Sequence, residues 1–302
     1  MYEHIEGLIV APFTPMDANA GLAADVVEKQ ADFISRNGVI GVFTCGTTGE
    51  GLSLTVAERI ELAERWVAAA PDGFKVIPHV GHNSLEACKT MAAHAQKIGA
   101  WGIGAMSPVF FKPSLDELVA FCGEIAAAAP DLPFYYYHIP ALTGVYHPMV
   151  GFLEAAGGKI PNLAGVKFTY EDLMDYQLCR RLDGGRFDIL YGRDEILLCG
   201  LALGAKGAIG STFNYMAPLY TRLFDAFEAG DLDTARELQD KSMQVVLLLH
   251  KYGGVRCGKA IMKLTGLDCG PTRMPLPAFT GGEYESLQAE LEEIGFFDFC
   301  AR

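Results

Sequence analysis

LAGVKFTYEDLMDYQLCRRLDGGRFDILYG (163–192) carries the pattern that decides the fold. A run that is apolar on consecutive positions, LAGVKF (163–168), passes through a helical stretch to a second such run, DILYG (188–192). Consecutive rather than alternating apolar residues mark parallel strands buried on both faces, and parallel neighbours need a crossover, usually a helix. The arrangement extends outward in both directions. Upstream, GLIVAPF (7–13), GVFTC (41–45), KVIPHV (75–80), WGIGAM (101–106) and PFYYYH (133–138) read as strands, and downstream KGAIGS (206–211) does. The stretches between them carry helix starts. Thr55 with Glu58 and Ser114 with Glu117 fit the capping box, in which side chain and backbone satisfy each other's free N–H groups, and Asn83 with Glu86 is a variant of it.

Eight strands with crossover helices fit either a closed barrel or an open doubly wound sheet. No GxGxxG follows the first strand, and a count of eight favours closure. The expected fold is α/β, a (β/α)8 TIM barrel over residues 1–229. From about residue 217 onward the pattern is helical only: APLYTRLFDAFEAG, DLDTARELQDKSMQVVLLLHKYG, VRCGKAIMKLTG and EYESLQAELEEIG. The first of these would complete the barrel, and the others make a C-terminal helical extension over 230–302. A single barrel usually needs roughly 250 residues, so a chain of 302, half of it apolar, accommodates barrel and extension.

The formal net charge is −13, and no basic stripe suits nucleic acid. No run reaches the about 18 apolar residues of a membrane span, and the N-terminus has no basic region or long apolar core of a secretory signal. Eight scattered cysteines without a CxxC pair read as reduced, buried small hydrophobes, which points to the cytoplasm. His79 and His82 in HVGH lack acidic or sulfur partners, so no metal site is expected there. GGVRCGKA (253–260) satisfies G-x-x-x-x-G-K. However, Ala260 stands where a phosphate loop needs Ser or Thr, and the segment follows a helix. There is no G-x-S-x-G elbow.

In such a barrel the active site lies at the C-terminal ends of the strands. Here those ends run into CGTTGEG, YYYHIP, VKFT, YGRDE and GST, five sets of polar groups aimed at one mouth. Lys167 interrupts an apolar strand. Burial would lower its pKa and free the amine for attack on a ketone, whereas a lysine on the rim would reach solvent or hold a phosphate. Tyr137 either shuttles protons or fills the strand with its neighbours Tyr135 and Tyr136. Thr47 and Thr48 in GTTGE offer hydroxyls and backbone N–H groups to a carboxylate, or simply cap a turn.

GTTGE, YYYHIPALTG, GVKFT and YGRDE, in this order, resemble the dihydrodipicolinate synthase/N-acetylneuraminate lyase family over nearly the whole chain. The resemblance implies a homotetrameric class I aldolase that forms a pyruvate Schiff base on Lys167, with no metal and no organic cofactor. It implies catalytic roles for Tyr137 and Thr47, a substrate carboxylate on Thr47 and Thr48, and a polyol subsite of Thr169, Gly192, Asp194, Glu195 and Ser211. Synthases of the family carry an arginine two residues after the proline of YxxP, whereas this chain has Leu142 there. Leucine cannot form a bidentate pair with a carboxylate, and the stretch YYYHIPALTGV more closely resembles the lyase branch of the family, which implies the sugar acid N-acetylneuraminate as substrate, cleaved to N-acetylmannosamine and pyruvate. Another pyruvate aldolase of the family and a non-catalytic sugar-acid-binding barrel are the alternatives. In PVFFKP (108–113), Phe110 stands where many members place a relay tyrosine from a neighbouring subunit, and phenylalanine passes no proton.

Overall fold

A computed structural model describes residues 2–302. The apolar runs become eight parallel strands: β1 (Gly7–Val10), β2 (Gly41–Thr44), β3 (Lys75–Pro78), β4 (Ile103–Met106), β5 (Phe134–His138), β6 (Leu163–Phe168), β7 (Asp188–Tyr191) and β8 (Gly207–Gly210). Between and after them lie α1 (Val27–Arg36), α2 (Val56–Ala69), α3 (Leu85–Lys97), α4 (Leu115–Ala127), α5 (Pro140–Thr143), α6 (Met149–Ala156), α7 (Leu173–Arg181), α8 (Leu197–Ala202) and α9 (Phe213–Glu228). Three C-terminal helices follow: α10 (Leu232–Tyr252), α11 (Val255–Leu264) and α12 (Gly281–Glu293). The strands pair in the order β3-β2-β1-β8-β7-β6-β5-β4, and a parallel bridge between His79 and Gly104 joins the two ends. The sheet therefore closes into a (β/α)8 TIM barrel.

Several strands are shorter than the sequence implies. GLIVAPF leaves the ladder after Val10, just before Pro12, which has no N–H to donate. The runs at 41–45, 75–80, 188–192 and 206–211 likewise give up their last residues to the loops at the barrel mouth. Two capping boxes form as expected, at Thr55–Glu58 and Ser114–Glu117. At α3 the cap is Ser84 rather than Asn83: the Ser84 hydroxyl accepts from the Ala87 N–H, while Asn83 Oδ1 accepts from Val109 in the loop after β4. A third box, Thr280–Glu283, opens α12 and escaped the sequence reading.

Side chains divide between two apolar layers. Ile9, Phe43, Ile77, Tyr135, Leu190 and Ile209 fill the barrel, while Val10, Val42, Val76, Tyr136, Val166 and Phe168 pack outward against the helices. The alternation of Tyr135, Tyr136 and Tyr137 is the period of two expected of a strand. In β6 that period is broken. Phe134 pairs with Leu163 but Tyr135 pairs with Gly165, which leaves Ala164 as an extra residue in a bulge. A side chain at Gly165 would overlap the Asp188 carbonyl, so glycine is required beside the bulge. With this shift Ala164 faces the barrel interior, Val166 faces the helices, and Lys167 is turned back inside.

All eight cysteines are free and six are buried. His79 serves structure: its Nε2 accepts from the Met106 N–H, and its Nδ1 lies 3.2 Å from the Cys45 carbonyl, to which it donates. Burial and the neighbouring Arg59 keep this ring neutral. Among the described residues, no helix is long and apolar enough to cross a membrane. Lys259 of GGVRCGKA reaches back to the barrel, where its Nζ stands 2.8 Å from Glu50 Oε1 with both side chains buried. Glu50 Oε2 accepts from the Arg273 N–H at 2.8 Å. The ion pair ties the GTTGE loop to α11. Breaking one half of a buried pair strands the other charge, so Lys259→Met should lower stability by about 3–5 kcal/mol. Adding Glu50→Gln removes the stranded charge and should recover part of the loss in urea unfolding. Equal stability of Lys259→Met and the parent chain would contradict the role given to the pair.

Candidate active site

Pairing of β5 with β6 sets Tyr137 directly opposite Lys167, at the end of both strands where the barrel opens. Lys167 Nζ lies 4.1 Å from the Tyr137 ring centroid and 4.4 Å from that of Phe43. No carboxylate stands within ion-pair distance of it among the described residues. Aromatic faces attract a cation but do not replace its hydration. Burial therefore lowers the Lys167 pKa to about 7, opposed only by the more distant Asp194. Of the two readings left open by the strand position, the buried amine is the one found.

Tyr137 donates to or accepts from Thr47 Oγ1 at 3.2 Å. Its phenol is pushed up to about 12 by burial, so it is neutral at physiological pH and holds a proton to exchange. Thr47 and Thr48 follow β2 and reach the same cavity, an open-mouthed space of about 250 Å³. Across it lie Thr169, Gly192, Asp194, Glu195 and Ser211, from the ends of β6, β7 and β8. Nine residues singled out in the sequence thus converge on one cavity. Leu142 does not join them: it lies on α5, 60% exposed, outside the cavity lining. Phe110 is also outside, 83% exposed, with a positive φ.

Asp194 is buried, and burial together with neighbouring Glu195 raises its pKa to about 6. The N–H and hydroxyl of Thr212, both 2.8 Å from Asp194 Oδ2, oppose that rise and keep the group an anion near neutrality. Glu195 is held by Arg193, which also grips Glu171, at 2.7 Å each. Arg193 lines the cavity and sat unread inside YGRDE. Val246, Leu249 and His250 of α10 also line the cavity. No local sequence signal marks these three, because only the folding back of α10 brings them to the barrel.

A desolvated amine, a neutral phenol beside it and two carboxylates across the cavity can form an imine, move protons and hold a hydroxylated chain. Fold and site together define a class I, Schiff-base-forming carbon–carbon lyase. Residues 4–294 match the dihydrodipicolinate synthetase family, and the chain belongs to it. The N-acetylneuraminate lyase of Homo sapiens is 42% identical, over 98% of this chain and 94% of that protein. That of Xenopus tropicalis is 45% identical over 91% of each. The solved N-acetylneuraminate lyase of Proteus mirabilis superposes with a TM-score of 0.95 at 40% identity, covering 97% of this chain and 100% of that one.

Because burial lowers the Lys167 pKa, the free amine predominates above about 7 and the inert ammonium below it. The rate of borohydride-trapped adduct formation with dilute pyruvate should climb about tenfold per pH unit below neutrality and level off above it. A profile still rising between pH 8 and 10 would mean that the amine is solvated.

Proposed function

We propose that this chain catalyses reversible cleavage of N-acetylneuraminate to N-acetylmannosamine and pyruvate. The observation that carries the proposal is the buried, unpaired Lys167 amine opposite Tyr137, facing a wall of hydroxyl acceptors. Relatives of that name, at about two-fifths identity over nearly the whole chain, support the choice of sugar acid. So does the sequence pattern, with Leu142 where synthases of the family carry an arginine.

The open-chain sugar acid binds with its carboxylate on Thr47, Thr48 and the backbone N–H groups of their turn. Lys167 attacks carbon 2, and loss of water from the carbinolamine gives an iminium. Tyr137 takes the proton from the 4-hydroxyl while passing its own to the substrate carboxylate, with Thr47 orienting the phenol. The pair of electrons in the bond between carbons 3 and 4 then moves into the iminium, forming an enamine and releasing the aldehyde. Protonation at carbon 3 and hydrolysis free pyruvate and restore the amine. Asp194, Glu195, Thr169 and Ser211 receive the polyol chain, and Gly192 leaves it room.

The same reading includes a homotetramer acting on small molecules in the cytoplasm. It is supported by the neighbouring exposed rings of Phe110 and Phe111, which suit burial against another subunit, and by eight free thiols, which suit a reducing compartment. Mixing with pyruvate and sodium borohydride should add one pyruvate unit at Lys167, detected by intact mass and peptide mapping. Lys167→Ala should abolish the adduct. Tyr137→Phe should lower kcat by about 10²–10⁴-fold, the usual worth of a positioned proton carrier, while still forming adduct. A folded parent chain that takes up no pyruvate would favour the non-catalytic alternative.

A further inference from the structure

Behind Asp194 a line of hydroxyls leaves the cavity and runs into the helices. Thr212 Oγ1 is 2.8 Å from Asp194 Oδ2, Tyr220 OH is 2.6 Å from Thr212 Oγ1, and Ser242 Oγ is 2.6 Å from Tyr220 OH. Thr212 precedes α9, Tyr220 lies within it and Ser242 belongs to α10, and all three are buried. An ionised carboxylate only accepts, which forces the direction of every bond in the line. Thr212 must donate to Asp194, so its own oxygen accepts from Tyr220, whose oxygen in turn accepts from Ser242. Three O–H dipoles therefore point at one carboxylate oxygen, and aligned hydrogen bonds strengthen one another in a low-dielectric interior.

Among the described residues the other oxygen, Oδ1, takes no donor from a side chain or backbone and is left to the cavity. A side chain at position 210 would overlap it, so Gly210 keeps its approach open. The same α10 that holds Ser242 also fixes the backbone here, through Gln239 Nε2 donating to the Asp194 carbonyl at 3.1 Å.

We propose that Tyr220 and Ser242 are positioning residues for the polyol subsite. Through Thr212 they lock one oxygen of the Asp194 carboxylate and thereby aim the other at a substrate hydroxyl. Neither residue touches substrate. The identity of that substrate rests on the sugar-acid cleavage proposed above, whereas the chain itself rests on geometry alone. Because the pyruvate end of the site lies on Lys167, Tyr137 and the GTTGE turn, loss of the chain should be felt only by the long substrate.

The test compares Tyr220→Phe and Ser242→Ala with the parent enzyme in two assays: trapping of pyruvate by borohydride and cleavage of N-acetylneuraminate. Loss of one net hydrogen bond corresponds to a roughly fivefold change. Tyr220→Phe should therefore raise KM for the sugar acid ~5-fold, with kcat and the half-saturating pyruvate concentration within ~2-fold of the parent. In an Asp194→Asn background the amide no longer needs the aligned donors, so Tyr220→Phe should add less than ~2-fold, a non-additivity that general loosening of the fold does not produce. An unchanged KM, a matching loss of pyruvate trapping, or full additivity with Asp194→Asn would each overturn the proposal. A parent enzyme that traps pyruvate but cleaves no sugar acid would overturn the substrate reading and this inference with it. Cleavage by the parent with no effect in the variants would overturn this inference alone.

Discussion

An ammonium group carried from water into a closed barrel gives up hydration that the faces of Phe43 and Tyr137 restore only in part. Among the described residues no carboxylate is close enough to Lys167 to make up the difference, and the amine is left with a pKa of about 7. That imbalance needs the whole architecture. Closure between β3 and β4 seals the wall, while Ile9, Ile77, Leu190 and Ile209 fill the interior below the amine. Tyr135, bound through its hydroxyl to Asp188, finishes the floor of the barrel without leaving a buried polar group unmatched. A more open sheet would hydrate the lysine and return it to an ordinary surface cation.

The opposite wall of the cavity follows another electrostatic logic. Asp194 and Glu195 are adjacent acids in a partly apolar setting and repel one another, yet each is held in a distinct way. Glu195 shares the Arg193 guanidinium with Glu171, and Asp194 is surrounded by neutral donors. Neutral donors hold an anion without cancelling its charge, so Asp194 stays a strong acceptor for a hydroxyl. The cation that Arg193 brings to the cavity is committed to carboxylates and is not free for a second acidic substrate.

Much of this was legible in the chain itself. Consecutive apolar runs gave away the parallel strands, and the polar residues at their C-terminal ends marked Thr47, Tyr137, Lys167 and Asp194 because strand ends in a barrel share one mouth. What could not be read depends on contacts distant in sequence. Lys259 resembles part of a phosphate loop until the fold sets it against Glu50, more than two hundred residues earlier. His250 and Ser242 belong to an unremarkable amphipathic helix until α10 folds back over the barrel. Leu142 marks a step in the sequence pattern, yet it stands exposed on α5, outside the cavity lining of this chain.

The bulge at Ala164 gives β6 a parity as well as a sequence. Lys167 stands three positions after Ala164, an odd offset that reaches the same side of the sheet only because Ala164 is unpaired. Inserting one apolar residue between Gly165 and Lys167, with the Tyr135–Gly165 pairing kept, would preserve hydropathy and nearly the whole chain, yet it would turn the amine outward into the helix layer. Such a chain would be grouped with its relatives by every alignment and would do no chemistry. For this barrel, the boundary between an enzyme and an inert look-alike can thus be drawn by counting backbone units, with no catalytic side chain altered.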